Sequence, residues 1–305
     1  MKFGRLSDIS EVDFTLPPDA PGSAAVFARL PLPESVNLYV GCTGWSMKEW
    51  VGKTYPAGAK TKDYLQYYGQ QFNTIELNTT HYRIPTPETV RKWYADTPAD
   101  FRFCPKIPQS ISHRLHLGLE DANLRMFCEA IVELREKAGC CFMQMPPFFA
   151  PDRLPALELF LQNFPADIPL AVELRHAAWF EHGGAEFERA ARILEKYHRT
   201  AVITDVAGRR DVLHQRVTNH TVMIRWNGNG LVPTDFTRLD AWLHRLREWT
   251  EQGISEIYLF THEPDNVLAP EAVDYTVRRA REILVCETRG PVFHKKDKSE
   301  QMSLF

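Results

Sequence analysis

The sequence predicts an α/β protein, a single (β/α)8 TIM-like barrel with an N-terminal arm and a flexible C-terminal tail. Three observations predict it. Eight short apolar runs, rich in β-branched and aromatic residues, recur along the chain. Longer segments with apolar residues three and four apart separate them, as amphipathic helices require. No G-x-G-x-x-G follows the first run, where the sequence reads Gly41-Cys42-Thr43-Gly44-Trp45. That weighs against the rival fold, a doubly wound open sheet.

The strand runs lie at 38–42, 74–77, 101–104, 141–145, 170–174, 201–204, 222–226 and 257–260. Each is expected to lead into a helix. The helix at 121–138 opens on Asp121 as an N-cap after Gly118 and closes at Gly139. Others are expected at 187–197, at 235–252 before Gly253, and at 270–285 on the outside of the barrel. Residues 38–286 make 249, close to the roughly 250 of a lone barrel. Residues 1–37 form the arm, rich in proline (Pro17, Pro18, Pro21, Pro31, Pro33), with Phe14 and Phe27 to dock by. Residues 287–305 end in HKKDKSEQMSLF, a charged stretch with no helical period, and are read as the tail.

The 305 residues carry 36 Lys plus Arg against 39 Asp plus Glu, a formal charge of −3. Near-neutrality weighs against wholesale electrostatic wrapping of nucleic acid, though a local basic groove stays compatible with it. Six cysteines (Cys42, Cys104, Cys128, Cys140, Cys141, Cys286) include no C-x-x-C pair and sit among apolar neighbours. They read as buried free thiols of a reducing compartment. Acids at the N-terminus and the lack of a long apolar stretch predict a cytoplasmic protein with no membrane association.

Active sites of such barrels lie at the C-terminal ends of the strands. That rule selects Trp45, then Glu76 and Asn78 with His81 and Tyr82, Lys106, Gln144, Glu173 and Arg175 with Trp179, Asp205, Arg225, and finally Thr261-His262-Glu263. Carboxylates inside apolar strands such as Ala171-Val172-Glu173-Leu174 need a cation or a metal, because a lone buried charge is costly. Glu76, Lys106, Glu173 and Asp205 are therefore the candidate catalytic groups. Trp45, Asn78, Tyr82, Gln144, Arg175, Trp179 and Arg225 are the candidate substrate-binding groups. Lys and Arg together favour an anionic ligand. Trp45, Tyr82, Trp179 and Trp226 offer rings for stacking, against the commoner role of such rings in packing. The sequence names no cofactor. A divalent metal would suit the carboxylates, with His81 and His262 as the nearest histidines, but H-E-x-x-H and G-x-S-x-G are both absent.

These residues carry a resemblance. Val40-Gly41-Cys42-Thr43-Gly44-Trp45-Ser46 with Trp50, Gly52 and Tyr55-Pro56 resembles the opening of the YecE-like proteins, a domain of unknown function. So do Asn73-Thr74-Ile75-Glu76-Leu77-Asn78 with Tyr82-Arg83, Phe101-Arg102-Phe103 with Lys106, Gln144-Met145-Pro146-Pro147, and Ala171-Val172-Glu173-Leu174-Arg175-His176 with Trp179-Phe180. The resemblance implies a TIM-like barrel and a rim pocket around Glu76, Lys106, Glu173, Arg175, Asp205 and Arg225. It implies no reaction. The chain departs from it at Arg225-Trp226-Asn227-Gly228 and at Thr261-His262-Glu263.

The last residues, Gln301-Met302-Ser303-Leu304-Phe305, resemble the short peptide by which bacterial proteins dock on the replicative sliding clamp. Gln301 would supply an amide, and Leu304 and Phe305 an apolar anchor. Rim and tail together suggest an enzyme on a phosphate-bearing substrate, nucleic acid among the candidates, recruited to DNA through the clamp. Two alternatives stand beside it. One is a small-molecule isomerase or hydrolase of sugars or sugar phosphates with an incidental tail, and the other a non-catalytic nucleic-acid-binding module.

Overall fold

The computed structural model describes residues 4–294. Eight strands, β1 (Asn37–Cys42), β2 (Thr74–Leu77), β3 (Arg102–Pro105), β4 (Cys141–Gln144), β5 (Leu170–Glu173), β6 (Thr200–Asp205), β7 (Thr221–Asn227) and β8 (Glu256–His262), form one sheet in the order β3-β2-β1-β8-β7-β6-β5-β4. Every neighbouring pair is parallel. Isolated bridges Phe103↔Ala138 and Lys106↔Phe142 join β3 to β4, so the sheet nearly closes on itself. The expected (β/α)8 TIM-like barrel is present. At the β1–β2 contact a Cβ on Gly41 would strike the Thr74 carbonyl oxygen, so only glycine lets these strands pair.

Because side chains alternate along a strand, every second residue faces the lumen. Tyr39, Cys104, Phe142, Ala171, Val202, Met223, Tyr258 and Phe260 fill it, with Cys140, as one buried cluster. The opposite parity packs outward against the helices, in the main core. One step further along the lumen parity come Glu76, Lys106, Gln144, Glu173, Thr204, Arg225 and His262. The barrel's own period thus builds the mouth.

Helices follow β1 (Tyr64–Gln71), β2 (Pro87–Ala95), β3 (Asn123–Ile131), β4 (Leu154–Asn163), β5 (Ala185–Lys196), β7 (Pro233–Thr250) and β8 (Ala269–Ile283). The Thr86 hydroxyl accepts from the Thr89 N–H and caps Pro87–Ala95, and proline at the first turn pre-sets the backbone of Pro233–Thr250. The helix expected at 121–138 is shorter, Asn123–Ile131: the Asp121 carboxylate accepts from the Asn123 N–H at its start, and after Ile131 the chain tightens into a 3-10 segment.

The expectation of a helix after every strand fails at β6. Residues 206–220 hold only the short turn Arg210–Val212. The helix Pro21–Phe27 of the N-terminal segment takes the vacant place. Ser23 Oγ donates to the Gln215 carbonyl at 2.9 Å and accepts from the Val217 N–H at 3.0 Å. Phe27 meets Trp249 at 6.4 Å between ring centroids, and Asp19 accepts from Arg245 and from Trp249 Nε1. Arg29 pairs with Glu195. The segment thus spans the gap between Ala185–Lys196 and Pro233–Thr250, and Phe14 lies under the guanidinium groups of Arg210 and Arg238.

At the other end of the chain, residues 287–294, read from sequence as tail, are tied down: Thr288 donates to the Leu38 carbonyl and Arg289 to that of Phe72. Gln301, Leu304 and Phe305 lie outside the described residues. The described cysteines are free, four buried and two half-buried. No described helix is long and apolar enough to cross a membrane.

Candidate functional site

At the mouth, Arg225 from β7 is the hub. Its Nε donates to Glu76 Oε2 at 2.8 Å and its Nη2 to Glu76 Oε1 at 2.9 Å, while Nη1 donates to Glu173 Oε2 at 2.8 Å. Glu173 Oε1 also accepts from Arg175 Nε at 2.7 Å and from the Thr204 hydroxyl at 3.0 Å. Gln144 Nε2 donates to Glu173 Oε2 at 2.8 Å, and Asn78 Nδ2 to Glu76 Oε1 at 2.8 Å. His262 Nε2 lies 3.0 Å from Glu76 Oε2. Against the cost of burial, Arg225 and His262 hold Glu76 well below the usual carboxylate range. Burial opposes ionisation of Glu173 too, and is outweighed by Arg175 and Arg225. Burial and the Arg225 charge lower the pKa of His262, although Glu76 opposes this.

Lys106 stands differently in this network. It is 7 % exposed, and its Nζ donates to Gln144 Oε1 at 3.0 Å. Among the described residues its ammonium makes no salt bridge; the Phe142 ring lies 5.6 Å away. Burial, then the Arg225 charge, push its pKa down to about 8, although Glu76 and Glu173 resist. Beside it His81 is buried, its Nδ1 3.1 Å from the Ile107 carbonyl. Burial and the Lys106 charge push His81 down to about 4, so its ring is neutral at pH 7.

The structure therefore gathers Glu76, Asn78, Lys106, Gln144, Glu173, Arg175 and Arg225, as the strand-end rule expects. It removes Asp205 from the set. Asp205 has the outward parity of β6 and is held behind the wall by Arg210, by Arg238 at 2.8 Å and by Trp242 Nε1 at 2.8 Å. Trp226 is outward for the same reason, packed under Arg238. Trp179 is fully buried, stacks on Phe149 and donates to its carbonyl at 2.7 Å. It packs and presents no face. Trp45 is half-buried, edge-on to Trp93, whereas Tyr82 is 75 % exposed. Thr204, not singled out by the sequence reading, belongs to the mouth, and Phe142 of the lumen layer lies beneath Lys106; the lumen alternation points to both.

The donor set does not suit a metal ion. Guanidinium, amide and imidazole groups occupy the oxygens of both mouth carboxylates, and among the described residues no three of His, Cys, Asp or Glu are placed to hold one.

A cavity of about 680 Å³ opens beside the mouth, between the rims of β7 and β8 and residues 4–9. Arg5 donates to the Pro264 carbonyl across it. Glu263 is buried there, its Oε2 accepting from the Gly230 N–H at 2.9 Å while Oε1 finds no partner among the described residues. A Cβ on Gly228 would strike that Oε1. Burial, with the Asp235 charge adding to it and the Gly230 N–H opposing it, lifts Glu263 to about 7.

Comparisons place these features among known proteins. The family described as "Protein of unknown function DUF72" matches residues 39–291. The UPF0759 protein YecE of Escherichia coli K12 is 32% identical over 254 residues, 77% of this chain and 90% of that protein. The UPF0759 protein YunF of Bacillus subtilis strain 168 is 29% identical over 150 residues, 47% of this chain and 52% of YunF. A crystal structure of a DUF72 family protein from Enterococcus faecalis V583 has the same fold, with TM-score 0.63 and 20% identity, covering 84% of this chain and 100% of that one. The match along nearly the whole barrel and the identity to YecE place the chain in the DUF72 family, as one of its YecE-like members.

Proposed function

We propose that the barrel mouth is the active site of an enzyme acting on an anionic, phosphate-bearing substrate, with Lys106 as the side chain that meets it. The observation that carries this reading is the imbalance of charge at the mouth. Among the described residues, Arg225 pairs with both Glu76 and Glu173 and Arg175 with Glu173, so the two mouth carboxylates are engaged by guanidinium groups. Lys106 is left with an amide oxygen. One positive charge in a low-dielectric mouth attracts an anion more strongly than the same charge in water. Glu76 and Glu173 position Arg225 and Arg175; with their oxygens occupied they are poor proton acceptors. Asp205 has no part in this reading.

The test is binding before turnover. Wild type should take up inorganic phosphate or a short single-stranded oligonucleotide, and Lys106→Met should lose at least about tenfold in affinity, about 1.4 kcal/mol. Equal affinity of the two proteins would remove the reading. A salt slope as steep as several phosphate contacts give would favour nucleic acid over a small phosphate ester.

The clamp-like peptide Gln301-Met302-Ser303-Leu304-Phe305 supports recruitment of the enzyme to DNA through the sliding clamp. A charged spacer precedes it, and an apolar pair ends it. A peptide of residues 294–305 titrated against purified clamp should bind, and Leu304→Ala with Phe305→Ala should abolish binding. No binding at high micromolar concentration would leave the tail without this role.

A further inference from the structure

We propose that Lys106 is a nucleophilic amine that captures a phosphate-bearing aldehyde or ketone as an imine. This rests on the reading of the mouth as an anion site and names the substrate class within it. Of the three cations there, the guanidinium groups of Arg175 and Arg225 stay protonated in any accessible condition, whereas an ammonium can yield its proton. Geometry leaves that proton weakly held. Gln144 Nε2 is committed to Glu173, so the same amide must turn its oxygen to Lys106. A neutral amide oxygen is thus where a carboxylate would otherwise pin the ammonium.

The charge environment points the same way as this geometry. A lysine at its ordinary 10.5 holds about one part in a thousand as free amine at pH 7.5, whereas one lowered to about 8 holds about a quarter. Burial at the mouth, beside the neutral ring of His81, supplies the desolvation that activates lysine nucleophiles.

The step balances without oxidant or reductant. The Nζ lone pair attacks the carbonyl carbon, and the C=O π pair moves to oxygen, which takes a proton. The resulting carbinolamine loses water as the C–N bond becomes C=N. Amine plus carbonyl gives imine plus water. A protonated iminium keeps positive charge on the same nitrogen, so the attraction for the phosphate persists. Two sources carry this chemistry: a free sugar phosphate, and the ring-opened abasic deoxyribose of DNA.

The experiment incubates the full chain with dihydroxyacetone phosphate in one arm and with a duplex carrying one abasic site in the other, then adds sodium borohydride. Hydride adds to the imine carbon and solvent supplies the proton to nitrogen, leaving a stable secondary amine. Mass spectrometry should find one adduct, the probe less one oxygen, on the peptide containing Lys106 in at least one arm; that arm identifies the source. Lys106→Arg, folded by circular dichroism, should cut labelling at least about tenfold. No adduct in either arm overturns the proposal. So does labelling spread over exposed lysines such as Lys62 and Lys92 that Lys106→Arg does not alter. If wild type binds inorganic phosphate yet forms no adduct, the imine fails and the anion site stands. If phosphate does not bind, the anion reading itself fails.

Discussion

Arg225 and Glu76 meet in a two-pronged ion pair, 2.8 and 2.9 Å, that ties β7 to β2 across the barrel mouth. The strands are not neighbours in the sheet, so the pair acts as a strut. Glu173 completes it on a third strand, β5. Such a buried network contributes little net stability against apolar packing, but removing one partner strands the others.

Glu76→Gln is therefore expected to destabilise the protein by about 3 kcal/mol in denaturant unfolding at pH 7. The sign with pH follows from the lowered folded pKa. The stability Glu76 contributes is present above its ordinary value near 4.5 and is lost as pH falls through the lower folded value. The gap between wild type and variant should narrow below pH 4.5. An unchanged midpoint at pH 7 would show that Arg225 does not depend on Glu76.

Lys106→Met is expected to do the opposite, raising Tm at neutral pH. The folded pKa of about 8 lies below the ordinary 10.5, so between these values the unfolded chain binds more proton and wild-type stability rises with pH. The advantage of the variant, about 1–3 kcal/mol below pH 8, should shrink between pH 8 and 10.5. A Tm below that of wild type would mean that Lys106 stabilises the fold.

Glu263 has the raised folded pKa of a buried acid. Asp235 and Asp265 push it up, and Arg238 and the Gly230 N–H push it down. Wild-type stability should fall, relative to Glu263→Gln, as pH rises from about 4.5 through 7, by about 1–3 kcal/mol in all. Parallel stability curves for the two proteins over that window would exclude the titration.

Phe27→Ala should cost about 3 kcal/mol, because Phe27 is 9 % exposed and packs on Trp249 where a barrel helix is missing. Thermal melts of this variant check whether the N-terminal helix is part of the barrel's core. A change within a few tenths of a kcal/mol would make it an ornament.

The eight strands were legible because buried parallel strands read as apolar runs, and charged residues within those runs marked the mouth. Asp205 lies at a strand end yet outside the mouth, because side chains alternate there: Thr204 faces the mouth and Asp205 the helices. The arm's role was hidden in the sequence. Pro21–Phe27 is too short to declare itself by period, and its partners Gln215 and Trp249 are remote in the chain. The state of Lys106 depends on which acceptor it meets across β3 and β4, which spacing alone does not encode.

Calorimetric titration of inorganic phosphate into wild type and Lys106→Met tests the central claim most directly. Saturable binding by wild type, weakened at least about tenfold in a variant whose Tm is not lowered, is the predicted result. No saturable binding, or the same Kd for both proteins, would contradict it.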